Sequence, residues 1–330
     1  MVDTKEADGA FSRGDIAEFL KDEDALKGSL AFRSLSWETK YPHFLIARML
    51  SFHGWRRGYF SLGEFLRFQL PGRFKSQELR TKFSSFLNAE AGLLIRDFIA
   101  PDGSVIYNGN RFYPPDNKYY DLFGLLFEVI VSDQYQAKKF LKADSVVIDA
   151  GANIGTFSVL AAHHAFKGHV YAFEPVSATF EVLKKNTAPY SAISCFRSGL
   201  GDAREAKDIL IYPGSTCGST FEDSGILSAR HHRSEDLERE RTEVTTIDAF
   251  VVEQGISRVD FLKIDTEGYE AKIVKGGKET IRKWKPVIAM SAYHHPHDKE
   301  SLPRLLADIC PAYVCDLHRG CEDDLICYVK

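Results

Sequence analysis

The sequence predicts an α/β fold in which a mostly parallel, seven-stranded sheet carries helices on both faces and follows a small helical N-terminal region. Apolar, β-branched runs such as Val146–Ile148 are followed by helix-compatible segments, as buried parallel strands are. The last two apolar runs lie too close together for a crossover helix, which predicts an antiparallel hairpin. The expected strands lie near Ser145–Ala150, His169–Phe173, Ile193–Arg197, Val259–Asp265, Val287–Ser291, Ala312–Asp316 and Leu325–Val329.

The chain length predicts a main domain with an appendage, because 330 residues exceed the roughly 100 to 200 typical of one domain. We expect residues 1–95 to form a helical appendage, since Leu79, Phe83 and Phe86 recur at helical spacing. Residues 96–330 then form the main domain. The appendage could be a platform for a substrate or partner, or a cap on the core, and the sequence favours neither.

Two segments come before the first expected strand of the sheet. SVIYNGNRFY, residues 104–113, contains Asn108-Gly109 between β-prone runs and predicts a hairpin. Asp121 is expected to cap a helix that continues through Phe140.

An insertion follows Gly201-Asp202. It contains an expected strand at Lys207–Tyr212, a Gly/Ser/Thr-rich loop at Gly214–Gly225 and a charged run at Arg230–Glu243. The charged run is expected to form a solvated helix, with a mobile lid over the substrate as the alternative.

The overall charge disfavours nucleic acid and anionic lipid as partners. A formal net charge of -4 and an isoelectric point near 6.3 give no general attraction to nucleic acid or anionic lipid. The longest apolar run, around Leu122–Val131, is too short to span a membrane, and the first residues do not resemble a secretory signal. We therefore expect a cytoplasmic protein with no membrane span, and the oligomeric state stays open.

The cysteines are expected to be reduced thiols. The chain has 6 cysteines, and the four nearest the C-terminus lack the paired C-x-x-C spacing of a zinc site. Because no secretory signal is expected, disulfides are the less favoured alternative.

The ten residues VVIDAGANIG, Val146–Gly155, are the most informative stretch. Glycines between a strand and a helix allow the backbone to approach a ligand and expose amide donors at the helix N-terminus. The dinucleotide fingerprint needs a second glycine where this chain has Asn153. A bound pyrophosphate is therefore disfavoured.

An acidic residue follows the next strand. Glu174 ends the run His169–Phe173, one βαβ unit after the glycine turn. A carboxylate at that position can accept hydrogen bonds from two ribose hydroxyls, which indicates a nucleoside ligand. The alternative role is a cap on the next helix.

Together with a third element, FLKIDTEGYE at Phe261–Glu270, these motifs make the chain resemble a known family. VIDAGANIG, YAFEP, Asn186, FLKIDTEGYE with Gly276 beyond it, and SAYHHPHD together resemble the FkbM family of S-adenosylmethionine-dependent methyltransferases over about residues 111–329. The resemblance implies a class I methyltransferase (Rossmann-like) fold, S-adenosyl-L-methionine as cofactor and a small-molecule or glycan acceptor.

Positions in the motifs imply roles in cofactor binding. Glu174 is expected to hold the ribose, and the turn of Gly151, Ala152 and Asn153, closed by Gly155, to cradle the methionine part. Asp202, past the third strand, is expected to meet the adenine amino group. Asp149 is expected either to order the turn or to contact the methionine ammonium.

The acceptor chemistry needs a base or a metal ion, because an aliphatic hydroxyl must lose its proton during methyl transfer. His294 is the first candidate base, since it matches the histidine of the family's Y-H-x-x-x-D pattern, whereas His295 and His297 are expected to face solvent. Asp265 and Glu267 could orient the acceptor or hold the base.

A divalent ion bound by Asp265, Glu267, His294 and His318 stays open. Lys263 is expected to support its strand or to pair with an acid.

The predicted function is O-methylation of a hydroxyl on a carbohydrate, glycolipid or secondary metabolite. Two alternatives remain at this stage. The first is a scaffold that binds S-adenosylmethionine without catalysis. The second is a nicotinamide-dependent oxidoreductase, which is disfavoured by Asn153.

Overall fold

The computed structural model describes residues 61–64, 99–212, 216–221, 224–225, 237–319 and 322–330. The predicted appendage, residues 1–95, therefore lies outside the described residues except for one turn. In that turn Ser61 and Glu64 cap each other's backbone N–H groups, as at the start of a helix. The predicted domain boundary near residue 96 also lies outside the described residues.

The regular elements of the described residues alternate strands and helices from residue 146 onward. The strands are β1 (Val105–Tyr107), β2 (Asn110–Phe112), β3 (Val146–Ala150), β4 (His169–Phe173), β5 (Ile193–Phe196), β6 (Gly199–Leu200), β7 (Glu205–Ile211), β8 (Thr220–Phe221), β9 (Glu238–Thr245), β10 (Phe261–Ile264), β11 (Val287–Ser291), β12 (Tyr313–Arg319) and β13 (Asp323–Val329). The α-helices are α1 (Tyr119–Leu125), α2 (Ala137–Phe140), α3 (Thr156–His164), α4 (Ser177–Thr187), α5 (Ile247–Glu253), α6 (Glu270–Gly276), α7 (Lys278–Trp284) and α8 (Asp298–Ile309).

The main sheet confirms the predicted seven-stranded, mostly parallel arrangement. Its strand order is β12-β13-β11-β10-β3-β4-β5. The central strands β11, β10, β3, β4 and β5 pair in parallel, whereas β13 runs antiparallel to both of its neighbours. The predicted C-terminal hairpin is therefore present, and it closes one edge of the sheet.

Both faces of the sheet are covered by helices. Val147 and Phe261 belong to one buried core together with residues of α1 and α3, whereas their neighbours Ile148 and Leu262 belong to a second core with residues of α5, α7 and α8. Successive residues of a strand point to opposite faces, so unbroken apolar runs are needed where both faces are buried. Every described helix is too short or too polar to cross a membrane.

The insertion forms a second, four-stranded sheet with the order β6-β9-β7-β8. The expected strand in this region is β7, but the charged run contains β9 where a solvated helix was expected, so that prediction is wrong for residues 238–243. Buried Thr242 and Val244 alternate with exposed residues, which is the period of a strand. Asp208 and Arg241, opposite each other in β7 and β9, form an ion pair of 3.1 Å. Residues 226–236 lie outside the described residues.

The segment before the first sheet strand differs from the expected continuous helix. The hairpin β1–β2 is confirmed, and both Asn108 (φ 47°) and Gly109 (φ 76°) are left-handed, as a tight two-residue turn requires. Asp121 lies inside α1 and not at its start, and a π-helical turn at Leu126–Val131 follows. Because Asp121 lies inside α1, the predicted cap at Asp121 is wrong. The helical segment ends at Val131 and α2 begins at Ala137, so the expected continuous helix is also wrong.

A disulfide joins Cys315 and Cys327, which face each other on β12 and β13. The expectation of reduced cysteines is therefore wrong for this pair. Cys195 and Cys310 are free thiols. Cys321 lies outside the described residues.

Candidate active site

A cavity of about 300 Å³ opens where β3, β4 and β10 end. Its wall includes Asn153 after β3, Glu174 after β4 and Asp265 after β10. Residues Thr216–Phe221 of the insertion form another part of the wall, beside the glycine turn. The carboxyl ends of parallel strands are the usual ligand site of this architecture, and the volume lies within the range of small-molecule pockets.

The glycine turn needs the residues that it has. Gly151 has a φ of 75°, and a Cβ atom there would lie 2.0 Å from the carbonyl oxygen of Asp265. Gly155 (φ 89°) does not line the cavity but lies against Leu183 of α4, where a Cβ atom would be 2.8 Å from the leucine side chain. Gly151, Ala152 and Asn153 line the cavity.

Glu174 joins the two loops at the cavity wall. Its Oε2 accepts a hydrogen bond from the Asn153 N–H and its Oε1 accepts one from the Val176 N–H, both at 3.0 Å. The side chain thus lies on the cavity wall and also supports the residue just before α4, which is the alternative role of a helix cap. Burial raises the pKa of Glu174 to about 7, although the two backbone donors partly offset it.

Asp149 supports the turn from below. Its Oδ1 lies 3.2 Å from the Nζ of Lys263, its Oδ2 accepts a hydrogen bond of 2.6 Å from Ser158, and the carboxylate is fully buried. Lys263 in turn donates to the carbonyl oxygen of Gly151 at 2.6 Å. Asp149 does not line the cavity and is linked to the turn through Lys263.

Asp202 is exposed and lies outside the cavity wall. The wall contains Ser198, Gly199 and Leu200 instead. Gly201 packs so closely on α6 that a Cβ atom at Gly276 would lie 1.9 Å from the Gly201 carbonyl oxygen. The chain therefore turns away before Asp202, and the predicted adenine contact finds no support in the structure.

The motif after β10 forms a compact charged network. Asp265 accepts a hydrogen bond of 2.8 Å from the hydroxyl of Tyr135. Burial would raise the pKa of Asp265, but Lys263 and His294 outweigh it and hold the pKa below its usual value. Glu267 has a left-handed backbone (φ 54°), and its carbonyl oxygen accepts a hydrogen bond of 2.7 Å from Thr220 of the insertion.

Glu270 organises this network from the first turn of α6. Its Oε1 accepts hydrogen bonds from the Thr266 N–H at 2.9 Å and the Gly268 N–H at 3.3 Å. The same oxygen lies 3.1 Å from the Nδ1 of His294. Glu270 is not among the predicted site residues, although it is the last residue of the motif FLKIDTEGYE.

His294 lies between two carboxylates and not on the cavity wall. Its Nε2 lies 3.3 Å from Glu267 and its Nδ1 lies 3.1 Å from Glu270. Burial alone would lower the pKa of His294, but the two carboxylates outweigh burial and raise the pKa to about 11. A raised pKa favours the imidazolium form, which does not accept a proton, so the geometry does not support His294 as the base.

The other histidines lie apart from the cavity. His295 contacts the Gly268 carbonyl oxygen at 3.2 Å and is half-buried, whereas His297 is exposed, as expected. The Nδ1 of His318 lies 3.0 Å from the side-chain amide of Gln136. The structure therefore does not bring His318 to Asp265.

Among the described residues, Asp265, Glu270 and His294 bring possible metal-ligand atoms within 4.8 Å of one another. The Glu270 oxygen of this set also accepts backbone hydrogen bonds from Thr266 and Gly268. The three side chains are thus an ion-pair network as they stand.

Several cavity residues had no recognisable motif. They include Tyr135, which reaches Asp265 across 130 positions of sequence, and the acidic residues Glu128 and Glu322. Their approach depends on the tertiary fold, so no local pattern could identify them. The buried Asn153 Oδ1 and Thr216 Oγ1, on the wall beside Glu174, have no hydrogen-bond partner among the described residues.

Comparisons with known proteins match this site region. Residues 149–313 match the family described as "Methyltransferase FkbM domain". The 2-O-methyltransferase NoeI of Sinorhizobium fredii is 22% identical over 193 residues, which cover 56% of this chain and 79% of that protein. The 31-O-demethyl-FK506 methyltransferase FkbM of Streptomyces tacrolimicus is 31% identical over 161 residues, which cover 41% of this chain and 60% of that protein.

Some of the matches span only part of the related protein. The match with the AMB antimetabolite synthetase AmbE of Pseudomonas aeruginosa covers 8% of that protein. The crystal structure of Methyltransferase FkbM from Methylobacillus flagellatus is 17% identical, covers 74% of this chain and 59% of that chain, and has a TM-score of 0.43.

Proposed function

This chain belongs to the methyltransferase FkbM domain family, and from that premise we propose that it methylates a hydroxyl group of a carbohydrate, glycolipid or secondary metabolite with S-adenosylmethionine as donor. The names of NoeI, a 2-O-methyltransferase, and of the Streptomyces enzyme, a 31-O-demethyl-FK506 methyltransferase, both specify oxygen as the methylated atom. We propose residues 96–330 as the methyltransferase domain. The three acceptor classes are part of the proposal.

The observation that carries the proposal is the Glu174 carboxylate on the cavity wall beside the glycine turn. Each of its oxygens accepts one backbone hydrogen bond, which leaves further lone pairs for two ribose hydroxyls. The buried, unpartnered oxygens of Asn153 and Thr216 support a polar ligand at the same wall.

Other parts of the donor have fitting neighbours. We propose that the glycine turn holds the methionine part, because Gly151 and Ala152 expose backbone at the cavity. For the adenine we propose the segment Ser198–Leu200 in place of Asp202, since it lines the cavity where the chain leaves β5. Asp149 acts indirectly, by holding Lys263 against the turn.

S-adenosylmethionine, when bound, supplies a methyl group on a positively charged sulfur that leaves as a neutral thioether. We propose that Asp265 and Glu267 orient the acceptor hydroxyl, because both line the cavity at the end of β10. His294 and Glu270 are positioning residues that fix these two carboxylates. The new bond joins the methyl carbon to the acceptor oxygen, and the hydroxyl proton passes to a carboxylate of the enzyme.

We propose Glu322 as that proton acceptor. It lines the cavity, Tyr293 donates a hydrogen bond to it, and burial raises the pKa of Glu322 to about 7. A base whose pKa lies near the working pH is the most effective at removing a proton in the transition state.

The experiment is a titration of the protein with S-adenosylhomocysteine, followed by assays of its release with hydroxyl-bearing acceptors and with matched amines. Heat of binding and turnover on hydroxyl compounds are expected. Turnover on amines with none on hydroxyl compounds would contradict methylation at oxygen. Binding of NAD with no binding of S-adenosylhomocysteine would contradict the methyl donor.

A further inference from the structure

We propose that two side-chain oxygens, the Oδ1 of Asn153 and the Oγ1 of Thr216, bind the ammonium group of the donor's methionine part. Thr216 belongs to the Gly/Ser/Thr-rich loop of the insertion, so this proposal assigns part of the insertion to the donor site. The inference rests on the proposed function, since it concerns the methionine end of S-adenosylmethionine. Thr216 is not among the site residues that the sequence predicts.

The two oxygens are buried, and neither has a hydrogen-bond partner within the part of the chain that the structure describes. Both residues line the cavity. Buried polar atoms in native proteins nearly always have a hydrogen-bond partner, and the exceptions concentrate where a ligand or a water molecule completes the site. Two such oxygens on one cavity wall therefore indicate a bound group that donates hydrogen bonds.

Asn153 and Thr216 belong to two loops that are in contact. The Nδ2 of Asn153 donates a hydrogen bond of 3.6 Å to the Sγ of Cys217, the residue that follows Thr216. This contact uses the nitrogen of the Asn153 amide and leaves its oxygen without a partner among the described residues. The glycine turn and the insertion thus meet at the place where both unpartnered oxygens lie, and one ligand group can reach both loops.

The segment that carries Thr216 is attached to the rest of the protein by hydrogen bonds. The Oγ of Ser219 accepts a hydrogen bond of 3.3 Å from the Tyr212 N–H, and the Thr220 hydroxyl donates one of 2.7 Å to the carbonyl oxygen of Glu267. These contacts position the segment before any ligand binds. A binding residue on a positioned segment loses less conformational entropy when the ligand arrives, which favours affinity.

The hydrogen-bond donors of S-adenosylmethionine identify the group that fits. They are the adenine amine, the two ribose hydroxyls and the methionine ammonium, whereas the methionine carboxylate can only accept. The proposed function places the adenine at Ser198–Leu200 and the ribose at Glu174. Asp149, the expected alternative partner of the ammonium, does not line the cavity and pairs with Lys263 at 3.2 Å. The ammonium is therefore the donor group that still needs partners.

The chemistry of the two oxygens suits an ammonium group. An ammonium has three N–H donors and no acceptor, and the amide oxygen of an asparagine can only accept. A threonine hydroxyl can also accept, so both side chains can bind the same ammonium. Hydrogen bonds with one charged partner are stronger than those between neutral groups. Loss of the Thr216 hydroxyl should therefore weaken donor binding measurably.

The experiment is a calorimetric titration of the full chain at pH 7 with S-adenosylhomocysteine and with its deaminated analogue, in which hydrogen replaces the amino group. Thr216→Val removes the hydroxyl and keeps the shape of the side chain. We expect this variant to raise the dissociation constant of S-adenosylhomocysteine about tenfold or more, and that of the deaminated analogue less than about twofold. An affinity for S-adenosylhomocysteine within twofold of the parent protein, or equal losses for both ligands, would overturn the proposal.

Two further variants separate the role of the hydroxyl from an effect on the fold. Thr242 lies in β9, away from the cavity wall, and its buried Oγ1 also has no hydrogen-bond partner among the described residues. Thr242→Val is therefore the matched control, and we expect it to leave both affinities unchanged. Thr216→Ser keeps a hydroxyl at the site and should retain most of the affinity for S-adenosylhomocysteine. A Thr216→Ser variant that binds as weakly as Thr216→Val would also overturn the proposal.

The two proposals fail in different ways. If S-adenosylhomocysteine does not bind to the parent protein, the proposed function fails, and the inference about Thr216 fails with it. If S-adenosylhomocysteine binds equally well to the parent protein and to Thr216→Val, the inference about the ammonium group fails and the methyl donor assignment stands.

Discussion

Replacement of Glu174 by glutamine should weaken donor binding while the fold persists. The variant keeps the size of the side chain and one oxygen for the Asn153 N–H or the Val176 N–H. It removes the negative charge that we propose accepts the ribose hydroxyls. A hydrogen bond to a charged group contributes about 1.5–3 kcal/mol, so the dissociation constant for S-adenosylhomocysteine should rise about 10- to 150-fold.

Calorimetric titration with S-adenosylhomocysteine measures this effect, and urea unfolding of the free protein controls for stability. Glutamine has no charge to desolvate but leaves one of the two backbone N–H groups without its acceptor, so the free energy of unfolding should fall by at most about 1–3 kcal/mol. Glu181→Gln serves as the control for loss of one negative charge. An affinity within twofold of the parent protein, in a folded Glu174→Gln variant, would refute the assignment of the ribose site.

Three further predictions follow from charges in the site. Donor affinity should fall as the pH is lowered from 8 to 5, by up to about tenfold per pH unit below 7. The reason is that the pKa of Glu174 is raised to about 7 and the ribose needs the ionised carboxylate. Calorimetric titration of the parent protein and of Glu174→Gln at each pH measures this effect, and an equal pH dependence in both proteins would contradict it. Glu322→Gln should lower kcat about 100-fold or more with an unchanged donor dissociation constant, as loss of a general base does; an unchanged kcat would assign the proton to another group. His294→Ala should lower the free energy of unfolding by about 3–5 kcal/mol, because it removes the imidazole that faces Glu267 and Glu270. The double variant His294→Ala/Glu270→Gln should recover part of this loss in a urea unfolding experiment, and no recovery would contradict the ion-pair network.

The sequence predicts the sheet well where local pattern and tertiary burial agree. β4 and β11 begin and end at the residues expected, because unbroken apolar runs are what a strand buried on both faces requires. β9 was missed because its charges suggested a solvated helix. Its pairing with β7 places its residues opposite partners that lie far away in sequence, such as Arg241 opposite Asp208.

The candidate site also divides into local and tertiary features. Glu174 and Gly151 line the cavity, and the sequence singles them out because a strand tip and a glycine turn are local features. The position of His294 away from the cavity wall could not be predicted, because its contact with Glu270 at 3.1 Å depends on the folded chain. Glu322 has no motif, since its position on the cavity wall depends on the C-terminal hairpin.

A crystal structure of the protein with S-adenosylhomocysteine tests the central claim most directly. We expect both ribose hydroxyls within hydrogen-bond distance of the Glu174 carboxylate, with the sulfur atom facing the end of β10 at Asp265. Electron density for the ligand at any other place, or a ribose that does not contact Glu174, would contradict the account.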